Sequence, residues 1–136
     1  MGEIVRPRQD TEKITINLGF IDLGHVDLLV YDGFYANRTD FIRTAIRNQL
    51  DRHADVLKKS VGRQALDLGL RHYTRAELEA AQAGGTMIDI NVLGLVTLAA
   101  DVSSDLARAT IRSVSVLGAF HASPEVKAAL ADRITT

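Results

Sequence analysis

The chain has 136 residues, 46% of them hydrophobic, a formal charge of −1 and no cysteine. That length suits one ordinary domain or two very small ones, and the absent cysteines exclude disulfides and thiolate sites. The near-neutral balance excludes binding of nucleic acid by bulk positive charge, so any such binding needs a local patch.

The polar residues 1–12 read as an arm whose Arg6 and Arg8 suit a phosphate backbone or a minor groove. The start, MGEIVRPRQDTEK, lacks the apolar core of a signal peptide, and Arg6 stands where a myristoylation site needs Ser or Thr. No stretch is apolar for long enough to span a membrane, so a cytoplasmic protein is expected. In KITINLGF (13–20), Ile14, Ile16 and Leu18 alternate with Lys13, Thr15 and Asn17, the period of a half-buried strand. This strand has no local hairpin partner, and a lone edge invites pairing with an identical copy. A two-fold dimer would turn Lys13, Thr15 and Asn17 outward. These types can read base edges in a major groove, and any solvated strand face also carries them.

Asp22 is expected to cap a helix running to about Tyr31, closed by Asp32-Gly33, with Gly33 supplying a positive φ. Tyr35 is read as packing against the helix pair. Asn37 then caps a second helix, with Asp40 at the third position, close to a capping box. Phe41, Ile42, Ala45, Ile46 and Leu50 form its apolar side. Asp40, Arg43, Arg47 and Asp51 line another side at ion-pair spacing, the pattern of a solvated surface. The unpaired amides of such a first turn bind phosphate. Arg38 would add a charge and Thr39 a hydroxyl, while Asp40 would have to turn away.

KITINL, the helix containing HVDLLV, and GFYANRTDFIRTAIRNQL together resemble the ribbon-helix-helix DNA-binding family of CopG-, Arc- and MetJ-type repressors over residues 12–52. The resemblance implies an intertwined β-α-α homodimer on double-stranded DNA. It implies base reading by Lys13, Thr15 and Asn17, phosphate binding by Asn37, Arg38 and Thr39, and repression as the usual outcome. Gly19-Phe20 departs from the family, many members of which carry Pro and an acidic residue there, so the first helix's register stays open.

Residues 52–71 are irregular and read as mostly helical. Thr74-Arg75-Ala76-Glu77 is a capping box for a helix reaching Ala83, ended by Gly84-Gly85. Beyond it, IDINVLGLVTLA (88–99) and RSVSVLGAFHAS (112–123) superpose at an offset of 24, each followed by a serine-capped helix start. Gly94 and Gly118 suggest bulges or close backbone packing. The expectation is an α+β chain: arm 1–12, DNA-binding domain 13–55, helical connector 56–85 and a β-α-β-α region 86–136. That last region suits assembly, as a second dimer contact or a contact joining dimers into tetramers, with a small effector or partner protein as the other reading. His53, His72 and His121 stand apart, unlike the His/Cys set of nickel-responsive regulators, so no metal or other cofactor is expected. No catalytic motif appears, and the chain does not read as an enzyme. An antitoxin is a further alternative, but its toxin-wrapping tail would be polar, whereas residues 86–130 are apolar and strand-like.

Overall fold

The computed structural model describes residues 11–135; Arg6 and Arg8 lie outside them. The chain is α+β, with six helices and one three-stranded parallel sheet among the described residues. The described residues divide into two compact units, one ending at Lys58 and the other starting at Lys59.

In the first unit, residues 11–19 form no regular secondary structure. The strand expected at 13–18 is absent from the single chain, as a strand needs a neighbouring ladder and one copy provides none. Helix α1 spans Phe20–Tyr31 and starts three residues earlier than a cap at Asp22 predicts. Gly19 takes the cap position in extended conformation, and Asp22 sits in the first turn, where its charge favours the helix dipole. The far end closes in a Schellman motif: Phe34 N–H donates to Leu29 O, Gly33 N–H to Val30 O, and Gly33 has φ +87°. Helix α2 spans Arg38–Arg52. Val26 is the one buried side chain among residues 11–58. Ile14 is 74% exposed and Phe20 94%, and Leu50 lies open as well.

Helix α3 spans Ala54–Gln64 and ends in the same motif, with Ala65 taking the left-handed position at φ +52°. The Asn91 amide holds that turn through the carbonyls of Gln64 and Ala65. The expected helical connector fails at the next element, because Asp67–Tyr73 is strand β1. Helix α4 (Arg75–Ala83), β2 (Ile88–Leu98), α5 (Ser104–Thr110), β3 (Ile111–His121) and α6 (Pro124–Ala129) complete the unit. The predicted β-α-β-α region is therefore three successive β-α steps in sheet order β1-β2-β3, all parallel. Thr74, Ser103 and Ser123 cap the three helices through their hydroxyls.

All three helices pack on one face. Ile90, Val92, Val96 and Leu98 of β2, with Val114 of β3, meet Leu78, Leu106, Ala107, Val126 and Leu130 in the core. Full burial of such side chains stabilises by about 1.5–3 kcal/mol each. The opposite parity forms the other face, in three rows: Leu68-Leu93-Leu117, Leu70-Leu95-Ala119 and His72-Thr97-His121. There Leu68 is 69% exposed, Leu70 58% and Leu117 44%.

A glycine row crosses the sheet, Gly69 beside Gly94 beside Gly118, with φ of +119°, +143° and +120°. A Cβ on Gly94 would lie 2.1 Å from the Gly69 carbonyl oxygen, and one on Gly118 2.1 Å from that of Gly94. These strands approach along a line that admits no side chain. The repeat offset of 24 is the β2–β3 register from Asp89 onward. Below it the register shifts, and the bulged Arg112 pairs with Asp89 through both guanidinium arms. Ser113 Oγ adds a bond to the same carboxylate, whose pKa falls to about 2, chiefly through the Arg112 hydrogen bonds. After a 3-10 turn (Ala131–Arg133), Ile134 bridges to Val114 and covers the lower outer edge of β3.

Candidate nucleic-acid interface

The turn between α1 and α2 arranges the helix start that the sequence singles out. Tyr35 packs edge-on against Phe41, with ring centroids 5.1 Å apart and an interplanar angle of 89°. The chain then enters α2 through Asn37, extended at φ −165°, whose Oδ1 accepts from Asp40 N–H at 2.8 Å. Asp40 turns back and accepts from Ala36 N–H at 3.0 Å, which occupies its Oδ2. A helix cannot satisfy its own first amides, so those of Arg38 and Thr39 remain at the open end, where the dipole favours an anion.

Arg38 is placed differently from the sequence reading. Its Nε and Nη2 bind both oxygens of Asp27 on α1, at 2.7 and 2.8 Å. This bidentate pair raises the Arg38 pKa and lowers that of Asp27, in each case chiefly through the hydrogen bond between them. The planar fork that would recognise a phosphate already holds a carboxylate. The pair is half-exposed and braces the α1–α2 crossing.

With Arg38 held by Asp27, the cations left beside this helix start are Arg43 and Arg47. With Ala36, Asn37, Thr39 and Asp40 they line an open depression of about 600 Å³. Thr39, Arg43 and Arg47 are four residues apart, so they form one stripe down the helix. Neither arginine joins an ion pair among the described residues, so the charged ladder expected with Asp40 and Asp51 does not form. The missed signal was the spacing of these two arginines from Thr39.

Lys13, Thr15 and Asn17 are exposed, and so are Ile14, Ile16 and Leu18 between them. One chain thus brings together the residues of the helix start and leaves the base-reading candidates in an unpaired segment.

Among the described residues, no three of His, Asp and Glu come together as a metal site, and no helix is long and apolar enough to cross a membrane. Comparison with curated proteins and with solved structures finds no match. A family model described as the ribbon-helix-helix transcriptional regulator family matches residues 9–127. The match runs past the two helices and through the three-stranded sheet. The chain belongs to the ribbon-helix-helix transcriptional regulator family, and it is a DNA-binding regulator of transcription.

Proposed function

We propose that the protein is a homodimeric repressor that places a two-stranded ribbon, one strand from each copy, in the major groove. The carrying observation is the state of residues 11–19 in the single chain. Residues 13–18 alternate polar and apolar side chains, both sets are exposed, and they form no strand in the single chain. Pairing with a second copy would bury Ile14, Ile16 and Leu18 against the helices and direct Lys13, Thr15 and Asn17 to base edges.

In this reading the Arg38 and Thr39 amides, the Asn37 turn and the Thr39 hydroxyl hold one backbone phosphate, with Arg43 and Arg47 supplying the charge. Arg38 acts by fixing the helix crossing through Asp27. The C-terminal unit serves assembly. Its folded sheet and core support this role over a toxin-wrapping tail, which would be polar and fold on its partner.

Sedimentation of the full chain, with selection of bound DNA from a random library, tests the proposal. The expected result is a dimer at micromolar concentration and a recovered site with two-fold symmetry. A folded monomer that binds DNA would overturn it.

A further inference from the structure

We propose that β1 of one copy pairs in parallel with β3 of a second, and that two copies close into a six-stranded ring of parallel strands. The inference rests on the reading of the C-terminal unit as an assembly element, and it names the contact.

The glycine row identifies the occupant of the β1 edge. Gly69, Gly94 and Gly118 share one backbone conformation, at φ +119°, +143° and +120°. At Gly94 and at Gly118 the missing Cβ position is filled by the carbonyl oxygen of the preceding strand's glycine, at 2.1 Å. At Gly69 the same position has no atom within 4 Å. An edge glycine thus keeps the conformation that receives a neighbouring carbonyl, with no neighbour in its own chain. The repeated geometry points the Gly69 and Gly94 carbonyls toward the next strand, and it points that of Gly118 outward from β3. A second copy's Gly118 carbonyl fits the vacancy at Gly69.

The edges match in length. If Gly69 lies beside Gly118 of a second copy, Asp67 falls opposite Val116 and His72 opposite His121. Ile134 covers the outer edge of β3 at Val114, just below that stretch. The segment left for pairing is the one that β1 would take.

Closure also accounts for the bare face. Parallel sheets are covered on both sides, yet here the helices cover one. A two-copy ring turns Leu68, Leu70, Leu93, Leu95, Leu117 and Ala119 inward. These rows are bounded by Asn91 and Ser115 at one end and by His72 and Thr97 at the other, hydrogen-bonded at 2.6 Å. An apolar middle with polar mouths is what a closed barrel with both ends in water presents, and closure leaves no strand edge exposed. Six strands make a narrower ring than the eight whose interior side chains just fill, so a single copy's six apolar side chains supply half of a small interior.

The 136-residue chain has no cysteine, so a designed pair reports the contact directly. Leu70→Cys and Ala119→Cys together would stand on adjacent strands across the contact, about 4.8 Å apart, within disulfide reach. Within one chain β2 separates them, at about 10 Å, beyond that reach. Oxidation should give a covalent dimer from this variant. It should give none from either single variant or from Leu70→Cys with Ser115→Cys, which is out of register. No cross-link, or an equal yield from the control pair, would overturn the pairing; a ladder of trimers and larger species would overturn the two-copy closure. Hydrogen exchange on the unaltered chain is independent of the substitutions. Outward amides of β1 as slow as those of β2 support the contact, and amides as fast as loop amides overturn it. DNA binding measured on the same samples separates failure of this contact from failure of the ribbon reading, since the cross-link needs no DNA.

Discussion

Replacing Gly94 with alanine should cripple the C-terminal unit, while Gly24, inside α1 of the other unit, should tolerate the same change. At Gly94 the new Cβ would lie 2.1 Å from the Gly69 oxygen, where contacts under 3.0 Å essentially never occur. The obstacle is backbone, so no rotamer change relieves it, and β1 and β2 would have to part by roughly 1 Å across their ladder. The φ of +143° adds a conformational cost of about 1–3 kcal/mol for any L side chain. Each ladder bond weakened by the separation forfeits about 1 kcal/mol more. A total of about 3 kcal/mol or more follows. At about 4–8 °C per kcal/mol for a unit of this size, the melting midpoint should fall by about 12–24 °C. Gly24 lies inside α1 with nothing within 4 Å and no positive φ, so Gly24→Ala should gain about 0.5–1 kcal/mol through helix propensity. Scanning calorimetry of the two variants checks both signs. A Gly94→Ala midpoint within about 3 °C of the parent would refute the close-approach argument.

Further outcomes are open to measurement. Asn17→Ala should lose about 1–3 kcal/mol of discrimination at the base it contacts, whereas Arg43→Ala should weaken specific and random DNA alike and flatten the salt dependence by about one unit of slope; titrations at several salt concentrations separate the two effects. Asp27→Asn should release the Arg38 fork beside the open end of α2, giving tighter binding to random DNA and a steeper salt dependence, and an unchanged slope would contradict the brace assigned to that pair. Leu78→Ala, at a fully buried position of α4, should cost about 2–5 kcal/mol in denaturant unfolding of the C-terminal unit. Asp89 has its folded pKa lowered to about 2 from 3.8, so its contribution is present above about pH 4 and is lost as the pH falls toward 2; Asp89→Asn should remove that part of the acid sensitivity, read as the difference between parent and variant in urea midpoint from pH 4 downward.

Much of this architecture is written locally. Asn37, Thr74, Ser103 and Ser123 announce their helices because a cap is a contact over three residues. The β2–β3 register is visible as a repeat because both strands carry the Val-Leu-Gly triplet, which the parallel ladder sets side by side. The third copy was harder to see. Leu66, Leu68 and Leu70 do alternate, but Asp67, Gly69 and Arg71 between them resemble a broken helix, and only the pairing with β2 shows the Leu-Gly as another rung. Arg38 illustrates a different limit. Its partner Asp27 lies eleven residues earlier on another helix, and no spacing rule joins them. The alternation at 13–18 is legible as a pattern, yet residues 11–19 form no strand in the single chain.

The N-terminal unit, with Val26 as its one buried side chain between residues 11 and 58, has a thermodynamic character unlike that of the C-terminal sheet. If a unit with so little interior draws its stability from the proposed pairing of copies, its melting temperature should climb with protein concentration while that of a self-contained core stays put. If DNA is read by the proposed pair, the population of readers at low abundance grows with the square of the number of chains. Halving the supply of chains then leaves about a quarter of the readers, a threshold set by chemistry before any promoter is reached.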